Sequence, residues 1–194
     1  MSYSGRRLRA DPFTDLLFNI LLAFTLLMFL AIIFMNPIPK TGIINPKAEY
    51  IITVGWEDNN PDDIDTYVQS PTGDLVWFRG KEAGFVHLDR DDRGLLNDTI
   101  VINGEKVQNP LNQEVVTLRA VVPGEYIVNI HYYATETNNP VNVNVKVEKV
   151  NPQLKVIYYG TIILEKKGIE KTATRFNITQ GGQVNVTGNL FKKL

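Results

Sequence analysis

The chain has 194 residues, with 20 basic and 21 acidic side chains, two histidines and no cysteine. That length allows one ordinary domain with an appendage, and a net charge of −1 gives no electrostatic reason to expect nucleic acid as a partner. Without cysteine there is no disulfide framework, no thiolate metal site and no cysteine nucleophile.

From Leu16 to Met35 the sequence reads LLFNILLAFTLLMFLAIIFM, 20 residues with no charge and with Asn19 and Thr25 as polar interruptions. A helix of this length, rising ~1.5 Å per residue, spans ~30 Å, the hydrocarbon thickness of a bilayer. It carries no polar face wide enough for a buried core helix. A signal-peptide core is usually ~7–15 residues and precedes a small-x-small cleavage site. Here the run is longer and leads into Asn36-Pro37-Ile38-Pro39-Lys40, so an uncleaved anchor over residues 11–36 is expected. Arg6, Arg7 and Arg9 precede it. The positive-inside rule then makes residues 1–10 a cytoplasmic tail, the helix an inner-membrane span, and the rest periplasmic or equivalent.

Asp11 followed by Pro12 reads as an N-cap and a first helical position, which starts the helix before the apolar run. Asp15 then stands one turn inside, at the rim of the membrane, with Asn19 on the same face one turn further. Two readings of Asp15 compete. It favours the positive end of the helix dipole among headgroups, or it faces a protein partner and exchanges an ion there.

A short tail, Pro12-Phe13-x-Asp15, an unbroken apolar helix and an exported domain, in that order, resemble the ExbD/TolR/MotB family, the B subunits of ion-driven rotary motors. The resemblance implies that Asp15 carries a proton or sodium ion. It also implies a homodimer inside a pentameric ring of a multi-helix A subunit, with torque passed to a periplasmic, cell-wall or outer-membrane target. Asn19 and Thr25 could line the ion path or hydrogen-bond across the helix pair. The chain departs from the family in its outer part, which shows neither a peptidoglycan-binding pattern nor a small α/β domain. The alternative is a membrane-anchored binding or structural domain without ion coupling. An anchored hydrolase ranks far behind, for want of a nucleophile–base pair, and no enzymatic activity is expected.

Residues 37–47 contain Pro37, Pro39 and Pro46 and read as an extended, semi-rigid connector. From Ala48 the pattern changes to period two. Segments 48–56, 63–70, 74–79, 98–102, 114–121, 124–133, 141–150, 155–167 and 174–178 are rich in Val, Ile, Thr and Tyr and are separated by turn signals such as Ser70-Pro71-Thr72-Gly73. Val141, Val143, Val145 and Val147 alternate with Asn142, Asn144 and Lys146, as a half-solvated antiparallel strand requires. About nine strands and no later helical period imply an all-β domain, an antiparallel sandwich of Ig-like or jelly-roll-like type. Its expected bounds are 48–188, with 189–194 fraying.

The acidic residues carry the chemistry of this domain. Asp63 and Asp65 point to one face of a strand, and Asp89, Asp91 and Asp92 follow in a loop. Two such clusters could converge on a calcium ion, which takes ~6–8 oxygen ligands. The competing reading is a solvated acidic loop, partly neutralised by Arg90 and Arg93. Asp58 and Asp62 read as turn residues. His87 and His131 read as structural, with no partnered nucleophile or carboxylate at motif spacing. Trp56, then Asp63-Ile64-Asp65-x-x-Val68, Pro71-x-Gly73 and Leu88-Asp89-x-Asp91 with Gly94, resemble the YfaP-like extracellular β-sandwich domains. That resemblance implies binding or support of other macromolecules rather than catalysis.

Overall fold

The computed structural model describes residues 11–35, 48–95 and 98–194. The basic tail over 1–10 and the proline-rich connector over 37–47 lie outside the described residues. The chain divides into two compact units, Met1–Ile44 and Asn45–Leu194.

In the first unit, helix α1 runs Pro12–Met35. Its start is built as the sequence predicts. Asp11 Oδ1 accepts from the Phe13 amide at 3.1 Å, its Oδ2 accepts from Thr14 Oγ1 at 2.9 Å, and the Asp15 amide closes the first turn on the Asp11 carbonyl. The stretch Pro12–Ile32 is long and apolar enough to cross a membrane.

The second unit is made of strands. In chain order they are β1 (Tyr50–Gly55), β2 (Asp63–Gln69), β3 (Leu75–Val76), β4 (Glu82–Ala83), β5 (Val86–Arg90), β6 (Thr99–Ile102), β7 (Glu105–Gln108), β8 (Gln113–Leu118), β9 (Gly124–Ala134), β10 (Val141–Lys149), β11 (Lys155–Leu164), β12 (Glu170–Ile178) and β13 (Val184–Gly188). One sheet has the order β11-β10-β1-β8-β5-β4 and the other β13-β12-β9-β2-β3, with β6 and β7 forming a separate exposed hairpin. All pairings are antiparallel.

The core lies between the two sheets. Ile52 and Val54 of β1, Val116 and Leu118 of β8, and Val143, Val145 and Val147 of β10 come from one side. Ile64 and Val68 of β2, Val128, Ile130 and Tyr132 of β9, and Phe176 and Ile178 of β12 come from the other. Tyr126 and Phe176 stack at 5.2 Å between centroids. Burial alternates along β10 as the valine–asparagine pattern requires. The C-terminal residues, expected to fray, make hydrogen bonds to the sandwich. The Lys192 amide donates to Thr172 Oγ1, the Lys192 carbonyl accepts from Asn129 Nδ2, and the Leu194 amide donates to Glu170 Oε1.

Candidate metal centre

Strand β2 presents its residues alternately. Ile64, Thr66 and Val68 face the core, which leaves Asp63, Asp65 and Tyr67 on the other side. Strand β3 pairs with β2 at Val68 and Gln69, beyond the acidic end. At that end the Thr66 amide donates to Glu114 Oε2 at 2.6 Å. Glu114 belongs to β8, where it alternates with the core residues Val116 and Leu118, so its position buries a carboxyl group. It is 1% exposed.

The loop after β5 brings a third acid. Asp92 anchors the loop, accepting from Arg90 Nη2 at 2.7 Å and from the Gln113 amide at 3.1 Å. Gly94 fits the loop's return against the 61–62 backbone: its φ is +66°, and a Cβ there would lie 2.5 Å from the Pro61 carbonyl oxygen. Asp91 between them meets Lys81 Nζ at 2.8 Å.

Together these elements place one carboxylate oxygen each from Asp65, Asp91 and Glu114 within 4.8 Å of one another. Asp65 Oδ2, Asp91 Oδ1 and Glu114 Oε1 are buried and have no hydrogen-bond partner, as does Asp63 Oδ1 beside them. Buried oxygens of this kind are costly while charged, and either protons or a cation would relieve the cost. Asp63, Asp65 and Asp91 line a cleft of about 240 Å³ with Phe78, Lys81, Arg93 and Tyr133.

The electrostatics agree. Burial pushes the Asp63 carboxyl up to about 7, and the charges of Asp65 and Asp91 add to the shift. Burial raises Asp65 as well, against the opposing pull of His131, whose Nδ1 stands 3.8 Å from Asp65 Oδ2. Glu114 is raised well above the carboxylate range by burial, the Thr66 amide notwithstanding.

Of the five aspartates expected at a calcium site, the structure brings together Asp63, Asp65 and Asp91. Asp89 turns elsewhere: a bulge between Leu88 and Arg90 sets it apart, and it accepts from Thr117 Oγ1 at 2.6 Å and Arg119 Nη2 at 2.8 Å. Asp92 spends one oxygen on Arg90 and Gln113. Glu114 is the acid the sequence reading passed over. Its signal was positional, an acidic residue two and four places before buried Val116 and Leu118 on the same face.

Asp62, expected as a turn residue, is a buried anchor. It accepts from Tyr132 Oη, Thr135 Oγ1, the amides of Glu136 and Thr137, and Thr137 Oγ1, at 2.5 to 3.1 Å. Burial alone would raise it, but these hydrogen bonds outweigh burial and hold it at about 2. His131 packs by Tyr67, and His87 Nδ1 lies 3.5 Å from Glu82. In α1, Asp15 and Asn19 are exposed, and Thr25 Oγ1 donates to the Leu21 carbonyl at 2.7 Å.

No protein-family model matches the chain, and no curated protein sequence matches it. Two solved structures are similar in fold. One is a protein of unknown function, SAV2460, at 14% identity and a TM-score of 0.49, over 73% of this chain and 88% of that one. The other is a homologue of the telluride resistance protein TerD from Streptomyces coelicolor A3(2), at 13% identity and a TM-score of 0.47, over 75% of this chain and 90% of that one. No family model supports the ExbD/TolR/MotB or YfaP-like assignments, so both are corrected, and the rotary-motor function with its ion-driven torque falls with them. The physical reason lies at the helix start. Pro12-Phe13-x-Asp15 is met there by an ordinary Asp11 cap with proline in the first turn, and the Thr25 hydroxyl is satisfied within its own helix. Likeness at this level of identity concerns the fold and carries no activity across.

Proposed function

We propose that the protein is a membrane-anchored module whose β-sandwich binds a divalent cation through Asp65, Asp91 and Glu114, with Asp63 at the rim. The reading rests on one observation: three converging carboxylates, two of them almost wholly buried, each keep an oxygen without a hydrogen-bond partner. The donors are all hard oxygens, with neither cysteine nor a histidine among them, which favours calcium over zinc or copper. The helix serves as the anchor. Under the positive-inside rule Arg6, Arg7 and Arg9 keep the N-terminus in the cytoplasm, so that the sandwich meets extracytoplasmic calcium.

Linkage supplies the test. Asp63 moves from an ordinary value of 3.8 to about 7 in the fold, and Asp65 and Glu114 also move upward. A carboxyl raised in this way binds its proton more tightly folded than unfolded. Without a cation, stability is therefore greatest below the unfolded value and is lost as pH rises toward the folded one. Calcium takes the place of those protons, so its stabilisation must grow over the same range. Thermal unfolding of the full chain in lipid nanodiscs, with millimolar calcium or with chelator, measures this. Calcium raises the midpoint by about 5–10 °C near neutral pH if it stands ~100-fold above its dissociation constant, and by much less near pH ~5. Identical midpoints in calcium and chelator at neutral pH would defeat the reading.

A further inference from the structure

The cation site opens into a cleft with an aromatic wall, and the two features have one chemical use together. Glu114 spends Oε2 on the Thr66 amide, and Asp91 spends Oδ2 on Lys81. Each can then give a cation one free oxygen. Calcium takes ~6–8 oxygens, so positions remain for a ligand that arrives through the cleft. Phe78 and Tyr133 line that cleft, with ring centroids 5.0 Å apart. Tyr133 is 41% exposed. Trp77 supports Phe78 edge-on at 4.8 Å, and the Arg79 guanidinium sits 5.2 Å over the Phe78 ring. Trp77 and Arg79 thus hold the Phe78 ring, and Phe78 and Tyr133 border the cleft.

Charge decides the kind of ligand. With a dication bound, the three carboxylates that line the cleft and the buried Glu114 that meets two of them are balanced by the ion together with Lys81 and Arg93. An entering molecule meets no net charge, which removes the advantage of an anion. A neutral molecule with adjacent hydroxyls and an apolar face matches both parts, since hydroxyl oxygens complete a hard cation's shell and a flat apolar face packs on aromatic rings. We propose that the cation at Asp65, Asp91 and Glu114 presents its open positions to a neutral carbohydrate whose ring packs against Phe78 and Tyr133. The cleft, about 240 Å³, has room for one sugar ring. This rests on the cation site proposed above.

The experiment separates the two claims. Full-length protein in sugar-free lipid nanodiscs is first titrated with terbium, whose luminescence reports an oxygen-donor site near aromatic side chains. The same preparation is then applied to an array of neutral and acidic glycans in calcium and in chelator, with inorganic phosphate as competitor. Calcium-dependent retention on neutral glycans, unaffected by phosphate, is expected. Tyr133→Ala, a change at a half-exposed side chain, should cut retention at least tenfold and leave terbium affinity, read by calorimetry, intact. Terbium binding without retention on neutral glycans, retention that persists in chelator, or binding that phosphate displaces overturns the carbohydrate inference and leaves the cation site standing. Failure to bind terbium removes the cation site itself, and the carbohydrate inference with it.

Discussion

Asp62 and the Asp65–Asp91–Glu114 group are both clusters of negative charge buried at a strand end, and they are built in opposite ways. Asp62 accepts five hydrogen bonds that tie the start of β2 to the 132–137 segment, and it is held at about 2, so it stays charged without help. The group of three has Lys81 on Asp91, the Thr66 amide on Glu114 and His131 3.8 Å from Asp65, yet keeps oxygens without hydrogen bonds and acids pushed upward by burial. Burial by itself raises a carboxyl, and the hydrogen bonds the protein supplies can outweigh it, as they do at Asp62 and not at Asp65 or Glu114. One cluster is finished by protein donors and is structural. The other keeps oxygens that no protein donor reaches, which is the basis for the proposed cation.

That contrast can be broken from either side. The largest effect is expected from Asp62→Ala, which strands five donors in a buried site and should cost about 3–5 kcal/mol in calcium and in chelator alike. Equal unfolding midpoints for this variant and the parent chain would show that the hydrogen-bond anchor is not structural. Acid titration sharpens the same point: because Asp62 is depressed from 3.8 to about 2, its contribution is present above the higher value and is lost as pH falls through the lower one.

Gly94→Ala comes next. The added methyl group would meet the Pro61 carbonyl oxygen, and the left-handed backbone disfavours any side chain, so a loss of about 1–3 kcal/mol is expected. Because the loop carries Asp91, calcium affinity should fall as well, which calorimetry of the variant can read. The smallest effect belongs to Asp89→Asn. Asp89 is paired with Thr117 and Arg119 outside the cluster, so unfolding should change by roughly 1 kcal/mol or less and calcium binding not at all. Loss of calcium binding in Asp89→Asn would return that residue to the site.

The alternation of Val141, Val143, Val145 and Val147 was enough to place β10, because a strand buried on one face writes its geometry into the residue order. The apolar helix and its Asp11 cap were legible for the same reason, since local spacing determines them. Short edge elements were not. Strands β4 and β7 have two and four residues and bury little, and β13 follows a Gly181-Gly182 turn whose hairpin signal was visible while its second strand was not. At the site, Asp63 and Asp65 share a face by strand period alone. Their meeting with Asp91 and Glu114 depends on pairing between distant strands, which one sequence does not encode locally. The family resemblance over residues 6–36 leaned on Pro12-Phe13-x-Asp15, a pattern that a capped helix start already accounts for. A short motif that elementary stereochemistry already demands has little left over to specify a family.

The central claim is that Glu114 and its two aspartates hold a cation. Calcium titration by calorimetry at neutral pH, on the parent chain and on Glu114→Gln, tests it most directly, since glutamine keeps an acceptor for the Thr66 amide while removing the charge. The account predicts one calcium per chain for the parent and at least tenfold weaker binding for the variant, with its fold retained. Equal affinity in the two proteins, or no calcium bound by either, would contradict it.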